Sequence, residues 1–265
     1  MTIPARLLII AGSDCSGGAG IQADIKSATA FGVFAMTAIT AITVQNTTGV
    51  TAVQAITPEN VYGQIKVCIE DIGVDAIKTG MLVDAPIIEA VADALTDCAA
   101  DVPLILDPVM VATSGAALID DAAVDTLIHR LLPRATLITP NLPEAKRLTG
   151  IDADSKDGAR AVAAALQKMG AKAVLIKGGH RDGGVIADLL IGPDGQQTFS
   201  YPRLDTRHTH GTGCTLASAI ASSVARGVPL TLAVEKARAY VQRAIENAPG
   251  FGVGHGPLNH MVAAD

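Results

Sequence analysis

The stretch HTHGTGCT, residues 208–215, places Cys214 directly behind Gly211 and Gly213 at the entrance to the apolar segment LASAIASSVA. Glycines there permit tight turns. The amides that open the following helix have no intrahelical acceptors and face the loop, and the helix field adds to their attraction for an anion. Gly211, Thr212, Gly213 and Cys214 therefore form a candidate phosphate-holding hole. A thiol in that first turn feels the same field, which favours thiolate over thiol. A buried structural cysteine is the competing reading.

Other candidates end apolar segments elsewhere. Asp107 closes PLILD, and Glu144 lies just beyond TLITPN. Two carboxylates near a phosphate can organise hydrated Mg²⁺, which prefers oxygen ligands and keeps several waters. Equally, Asp107 can cap a loop and Glu144 can occupy an exposed first helical turn. Lys177 ends AKAVLIK ahead of Gly178 and Gly179, where a lysine reaches phosphate as a point charge or simply faces solvent. Gln45 offers both donor and acceptor to a polar heteroaromatic ring. Met81 and Val109 offer apolar contact to such a ring, or line the core. His208 and His210 have no obvious third ligand, so local loop bonding outweighs a metal. Neither GSDCSGGAG nor GTGCT fits GxxxxGK[ST], and GSDCSGGAG is not GxGxxG.

Stepping from these residues to what must position them, the chain alternates strand and helix. Strands are expected at 6–11, within 33–46, at TAVQAI, DAIKTG, PLILDPV, TLITP and AKAVLIKGG. Helices are expected over IQADIKSATAFG and NVYGQIKVCIEDIG, the latter with Pro58 near its start. Further helices fall over VDAPIIEAVADALTD, capped by Asp84, and over DDAAVDTLIHRLL, SKDGARAVAAALQKMG and two final segments. GVIADLLIGPDGQQTFSYPRL reads as a hairpin across GPDG. The expectation is one α/β domain over 1–265 with a central, largely parallel sheet and a late β-hairpin. Ligands of such sheets bind beyond the strand carboxyl ends, where all the candidate residues fall.

Composition agrees. With 49% apolar residues, no Trp and few Phe or Tyr, the core is built from Ala, Val, Ile and Leu, as buried parallel strands require. A net charge of −6 argues against a nucleic-acid surface, while backbone amides still admit a small phosphorylated ligand. Cys15, Cys68, Cys98 and Cys214 show neither a disulfide framework nor a zinc spacing. Cys68 shares a helical face with Val61, Ile65, Ile69 and Ile72 and is expected in the core. The N-terminal segment makes a poor signal peptide and no run reaches membrane-span length, so no membrane partner and a cytoplasmic location are expected.

Taken together, AGSDCSGGAGIQAD at 11–24, TAITVQNT at 40–47, IKTGML at 77–82, LDPVMVATSG at 106–115, TPNLPEA at 139–145, KGGH at 177–180, THGTGCTL at 209–216 and GHGPLNH at 254–260 span nearly the whole chain. In this order they resemble the hydroxymethylpyrimidine/phosphomethylpyrimidine kinases of thiamine biosynthesis, within the ribokinase-like superfamily. The resemblance implies a three-layer ribokinase-like fold and use of ATP and Mg²⁺. It implies phosphorylation of 4-amino-5-hydroxymethyl-2-methylpyrimidine to its monophosphate and then its diphosphate, by a homodimer. It assigns Gln45 to pyrimidine recognition, Asp24 to the substrate side as a polar group, and Met81 and Val109 to the pocket walls. Asp107, Glu144 and Lys177 fall on the metal and phosphate side. The wider superfamily places an aspartate base where this chain has Cys214, so the proton acceptor is the thiolate or is assisted by the transferring phosphate. A pyridoxal or pyridoxine kinase, a silent pyrimidine-phosphate sensor and a cysteine-nucleophile hydrolase are the alternatives, the last lacking a base around Cys214.

Overall fold

Adjacent residues of the first strand point to opposite sides, Leu8 and Ile10 into one apolar cluster and Leu7, Ile9 and Ala11 into another, all of them buried. A strand apolar on both faces needs a covering layer on each. The computed structural model describes residues 3–111, 118–179 and 183–264 and supplies both layers. In chain order the elements are β1 (Arg6–Asp14), α1 (Gly20–Ala30), β2 (Phe34–Asn46), β3 (Gly49–Ala55), α2 (Pro58–Asp71), β4 (Ala76–Thr79), α3 (Ala85–Cys98) and β5 (Leu104–Leu106). They continue with α4 (Asp121–Thr126), β6 (Leu137–Ile138), α5 (Leu142–Thr149), α6 (Lys156–Lys168), β7 (Val174–Ile176), β8 (Val185–Gly192), β9 (Gly195–Pro202), α7 (Thr212–Ala225) and α8 (Leu230–Glu246).

The strands form one sheet in the order β3-β2-β1-β4-β5-β6-β7-β8-β9. Pairing is parallel from β2 through β7 and antiparallel at both edges, where β3 returns on β2 and the β8–β9 hairpin turns at Gly192 and Gly195. Helices α2 to α6 cover one face, and α1, α7 and α8 cover the other. From β1 the chain passes to β2 through α1 on one face, and then to β4 through α2 on the opposite face. The layers therefore part at the carboxyl ends of β1 and β4, which opens a crevice there.

Local chemistry explains the starts of the helices. The Asp84 carboxylate accepts from the Ile87 amide at 2.9 Å with Pro86 in the first turn, and Thr57 caps α2 ahead of Pro58. Three expectations need correction. The helix expected over 120–132 divides, because α4 widens into a π-helical turn at Leu127–Leu131 and tightens into a 3₁₀ turn at Leu132–Arg134, where Pro133 cannot continue the ladder. Helix α5 stands between β6 and α6, where no more than a first helical turn at Glu144 is expected. Cys68 and Ile69 are only half-buried, packed against the cluster that holds Val61 and Ile65, and Ile72 is 40% exposed. Among the described residues no helix is long and apolar enough to cross a membrane.

Candidate active site

The crevice is a cavity of about 820 Å³. One end is built by β1, β2 and β4. At Gly12 the β1 register shifts between Ala11 and Ser13, and pairing with β2 resumes at Ser13 and Asp14. A side chain at Gly12 would collide with the Met81 methyl, so the missing Cβ is what admits Met81 to the cavity wall. Thr40 fixes the Met81 backbone from below, its hydroxyl donating to the Met81 carbonyl at 2.6 Å. Gln45, near the end of β2, lines the same end, and its backbone is tied to the loop after β1 through the Cys15 thiol at 3.1 and 3.4 Å. Val109 completes this wall in a tight turn after Asp107, its amide donating to the Asp107 carbonyl at 2.9 Å.

The opposite end is charged. Asp107, 1% exposed, accepts from Lys177 Nζ and from the Thr139 hydroxyl, both at 3.0 Å. Glu144 lies 3.8 Å from the same ammonium. Burial opposes the charge of Lys177, yet Asp107 and Glu144 hold its pKa above the usual lysine range. Burial pushes the Glu144 carboxyl up to about 7, against the pull of Lys177. The alternative of an exposed site for Glu144 falls away: it stands in a first helical turn but is buried, locked in a reciprocal cap in which its carboxylate accepts from the Asn141 amide at 2.8 Å and its amide donates to the Asn141 side chain at 2.9 Å.

Between the two ends, α7 aims its N-terminus into the cavity. Gly211 caps it at φ 84°, a left-handed conformation natural only to glycine. A side chain there would also strike the Gly18 carbonyl. The Thr212 amide donates to the Thr209 carbonyl at 3.2 Å, so it is committed within the loop. The amides of Gly213 and Cys214 are the first-turn donors left for an anion. A Cβ on Gly213 would sit 3.4 Å from Lys177 Nζ and 3.8 Å from Asp107 Oδ2, which places the anion loop directly against the charged end.

Two expectations are overturned in this middle zone. Asp24 is fully buried below the cavity rather than on its wall: its carboxylate takes Lys78 Nζ at 2.8 and 2.9 Å and the Ser218 hydroxyl at 2.7 Å. Nor does the helix field win at Cys214, because burial pushes the thiol up to about 11, despite Lys78 and the Gly20 amide pulling it down. Lys78, a β4 residue with no solvent exposure, lies against the floor of the cavity above Asp24. Burial opposes its charge, but Asp24, Cys214 and Asp107 raise its pKa. A lysine between Ile77 and Thr79 in a buried parallel strand is itself a signal, since such a charge demands a partner. His210 also departs from local loop bonding: its Nε2 meets Asp14 Oδ2 at 2.9 Å, 196 residues away in sequence. The His208 amide donates to the Thr206 hydroxyl at 3.1 Å, while its ring lies against Gly256 of the C-terminal segment. Of the matched motifs, 112–115 and His180 lie outside the described residues.

An outer arm of the site, KGGH apart, carries no motif in the sequence. Beyond Lys177 the cavity extends past Gly179, Ile186, Leu204, Gln242 and Ile245. Arg203 donates to the Gly179 and Gly183 carbonyls at 3.1 and 2.9 Å. This arm, where Ile186, Leu204 and Ile245 stand beside Arg203, Arg238 and Gln242, has room for a second ligand with a flat body and a charged end.

Comparison with known proteins agrees with this arrangement. A family model described as phosphomethylpyrimidine kinase matches residues 14–259. The hydroxymethylpyrimidine/phosphomethylpyrimidine kinase of Bacillus subtilis is 47% identical over 258 residues, 97% of this chain and 95% of that one. The thiamine biosynthesis bifunctional protein ThiED of Geobacter sulfurreducens is 46% identical over 259 residues, 98% of this chain but 53% of that protein, so the chain spans about half its length. Among solved structures, an ADP complex of Bacillus subtilis pyridoxal kinase superposes with a TM-score of 0.89 at 33% identity, covering 97% of this chain and 98% of that one. With a family model matched over most of the sequence and a 47% identical relative covered almost in full, the chain belongs to the phosphomethylpyrimidine kinase family.

Proposed function

We propose that this chain transfers the γ-phosphoryl group of ATP to the hydroxymethyl oxygen of 4-amino-5-hydroxymethyl-2-methylpyrimidine, and then a second phosphoryl group to the monophosphate, giving the diphosphate used in thiamine biosynthesis. The observation that carries the reading is the position of Gly213 against Lys177 and Asp107, between the ring end and the outer arm of one cavity. Gln45 pairs with the ring, and Met81 and Val109 hold its faces. ATP lies along the outer arm with its terminal phosphates at Lys177 and at the Gly213 and Cys214 amides. Phosphoryl transfer is mainly positioning and charge stabilisation, which these groups supply.

Asp107 and Glu144 fit Mg²⁺ as oxygen donors. Among the described residues no cluster of three such groups exists, so they would hold the ion partly through its waters. The bound ion would neutralise charge on the phosphate oxygens. Cys214 takes the alcohol proton or passes that task to the transferring phosphate. Four free cysteines and an ATP substrate support a cytoplasmic location. Ile42, Val44 and Val53, 44 to 56% exposed on β2 and β3, support a homodimer.

Incubation with ATP and Mg²⁺ and product identification by mass test the reading. The pyrimidine alcohol should yield both phosphorylated products, and the absence of both under metal-replete conditions rejects the assignment. Pyridoxal run in parallel tests the second reading, which the likeness to pyridoxal kinase favours. Gln45→Ala should raise the KM for the pyrimidine about tenfold while leaving that for ATP unchanged, because it removes ring contacts far from the phosphates. A selective loss of ATP affinity contradicts that role for Gln45.

A further inference from the structure

Two glycine-rich loops, one after β1 and one before α7, meet at a buried carboxylate that the proposed chemistry does not use. Asp14 has no solvent exposure. It accepts from the Ser16 amide and hydroxyl at 2.8 and 2.7 Å, and from the Gly18 and Ala19 amides at 3.1 and 2.8 Å. The fifth donor is His210 Nε2 at 2.9 Å. Burial works to raise the Asp14 pKa, but His210, Ser16 and Ala19 outweigh it and bring it down to about 2. An ionised carboxylate only accepts, so Nε2 carries the proton.

An extra negative charge beside an anion loop opposes phosphate binding, so its presence calls for a geometric reason. His210 directly precedes Gly211, the cap of α7. The contact is close on both sides: a Cβ at Gly18 would lie 2.6 Å from the His210 ring, and one at Gly211 would strike the Gly18 carbonyl. The His210 amide is held from the other direction by the Gly256 carbonyl at 3.1 Å. From the same loop after β1, the Gly20 amide reaches the Cys214 sulfur and the Cys15 thiol grips the Gln45 backbone. One loop therefore touches the ring-reading residue, the cysteine and the histidine that leads into the anion loop.

We infer that His210, anchored on Asp14, is a positioning residue that registers Gly213 and Cys214 against the ring end of the cavity, so that the phosphate and the alcohol meet in line. The inference rests on the kinase reading above. Removing the imidazole frees the anion loop to shift relative to the ring, and a misplacement on the order of 1 Å costs about 10- to 100-fold in the transfer step. Asp14 keeps four donors in His210→Ala, so the loop after β1 stays satisfied and the protein folds.

The test compares wild type, His210→Ala and His210→Gln, whose amide donor reaches Asp14 as Nε2 does. His210→Ala should lower kcat about 10- to 100-fold with the pyrimidine KM within about twofold of wild type. His210→Gln should recover to within about threefold. In parallel, calorimetric titration with inorganic pyrophosphate should show weaker binding in His210→Ala and recovery in His210→Gln. Unchanged kcat and pyrophosphate affinity in His210→Ala overturn the inference, as does a Gln variant as impaired as the Ala one. If wild type yields no phosphorylated pyrimidine, the kinase reading falls, and the pyrophosphate titration still decides whether His210 sets the anion loop.

Discussion

Replacing Cys214 by alanine should slow single-turnover phosphoryl transfer about 10²- to 10⁴-fold while the fold and most ligand affinity persist. The thiol is small and sits in the first turn of α7, so its loss leaves a minor cavity. Its proton chemistry is set by its surroundings. Burial drives its pKa up to about 11, Asp24 and Asp107 reinforce that, and Lys78 and the Gly20 amide oppose it. Lys177 is the other cation that senses the sulfur. At neutral pH roughly one site in 10⁴ then holds a thiolate. A base of this kind is strong but scarce, which suits a loose transition state in which the alcohol gives up its proton late. The sign for pH follows: a raised thiol pKa means the reactive form grows as pH rises. Transfer in wild type should climb about tenfold per unit between roughly pH 6 and 9. Cys214→Ala and Cys214→Ser should lose that slope as well as the rate, since a serine hydroxyl does not ionise there. Quenched single turnovers at saturating substrates decide it. Near-wild-type rates in both variants, with the slope retained, would assign the proton to the transferring phosphate and leave Cys214 as part of the anion loop.

The elements that are legible in the sequence are those with a local cause. Asp84 followed by Pro86 specifies the start of α3, and GPDG between two extended arms specifies the β8–β9 turn. Helix α5 carries an equally local signature, Asn141 with Glu144 three residues on, but its eight residues lie so close to β6 that the segment reads as a strand exit. The strand-end rule gathers Gln45, Met81, Val109, Asp107, Glu144, Lys177 and Gly211 to Cys214 around one cavity, because parallel strands share one direction. What stays hidden is whatever depends on depth or on distant partners. Whether the helix field or burial governs Cys214 depends on how far below the surface α7 begins. The Asp14–His210 and Asp24–Lys78 pairs join residues 196 and 54 positions apart, and neither leaves a periodic trace.

The second of those pairs carries the largest stability effect expected here. Lys78 and Asp24 both have side-chain exposures of 0%, joined at 2.8 Å between β4 and α1, with the Ser218 hydroxyl completing the carboxylate. Lys78→Met removes the cation and keeps the volume, leaving Asp24 as a buried carboxylate with one hydroxyl donor. Breaking a buried pair from one side costs about 3–5 kcal/mol, a large share of the whole stability of a domain. Without Lys78 the folded protein favours the protonated form of Asp24, whereas in the unfolded chain Asp24 ionises at its ordinary value of about 4. The penalty is then greatest at neutral pH, where the unfolded state gains by ionising, and it shrinks as pH falls toward about 4 and both states hold the proton. Urea unfolding of wild type and variant at neutral and acidic pH measures this. Replacing both partners, Lys78→Met with Asp24→Leu, should restore most of the loss, because no uncompensated charge remains. Ser218 can then turn to the Cys214 carbonyl four residues back, as Ser222 already does to Ser218 at 2.7 Å. A single variant as stable as wild type at neutral pH, or a double variant no better than the single one, would show that the pair is not what holds β4 and α1 beneath the anion loop.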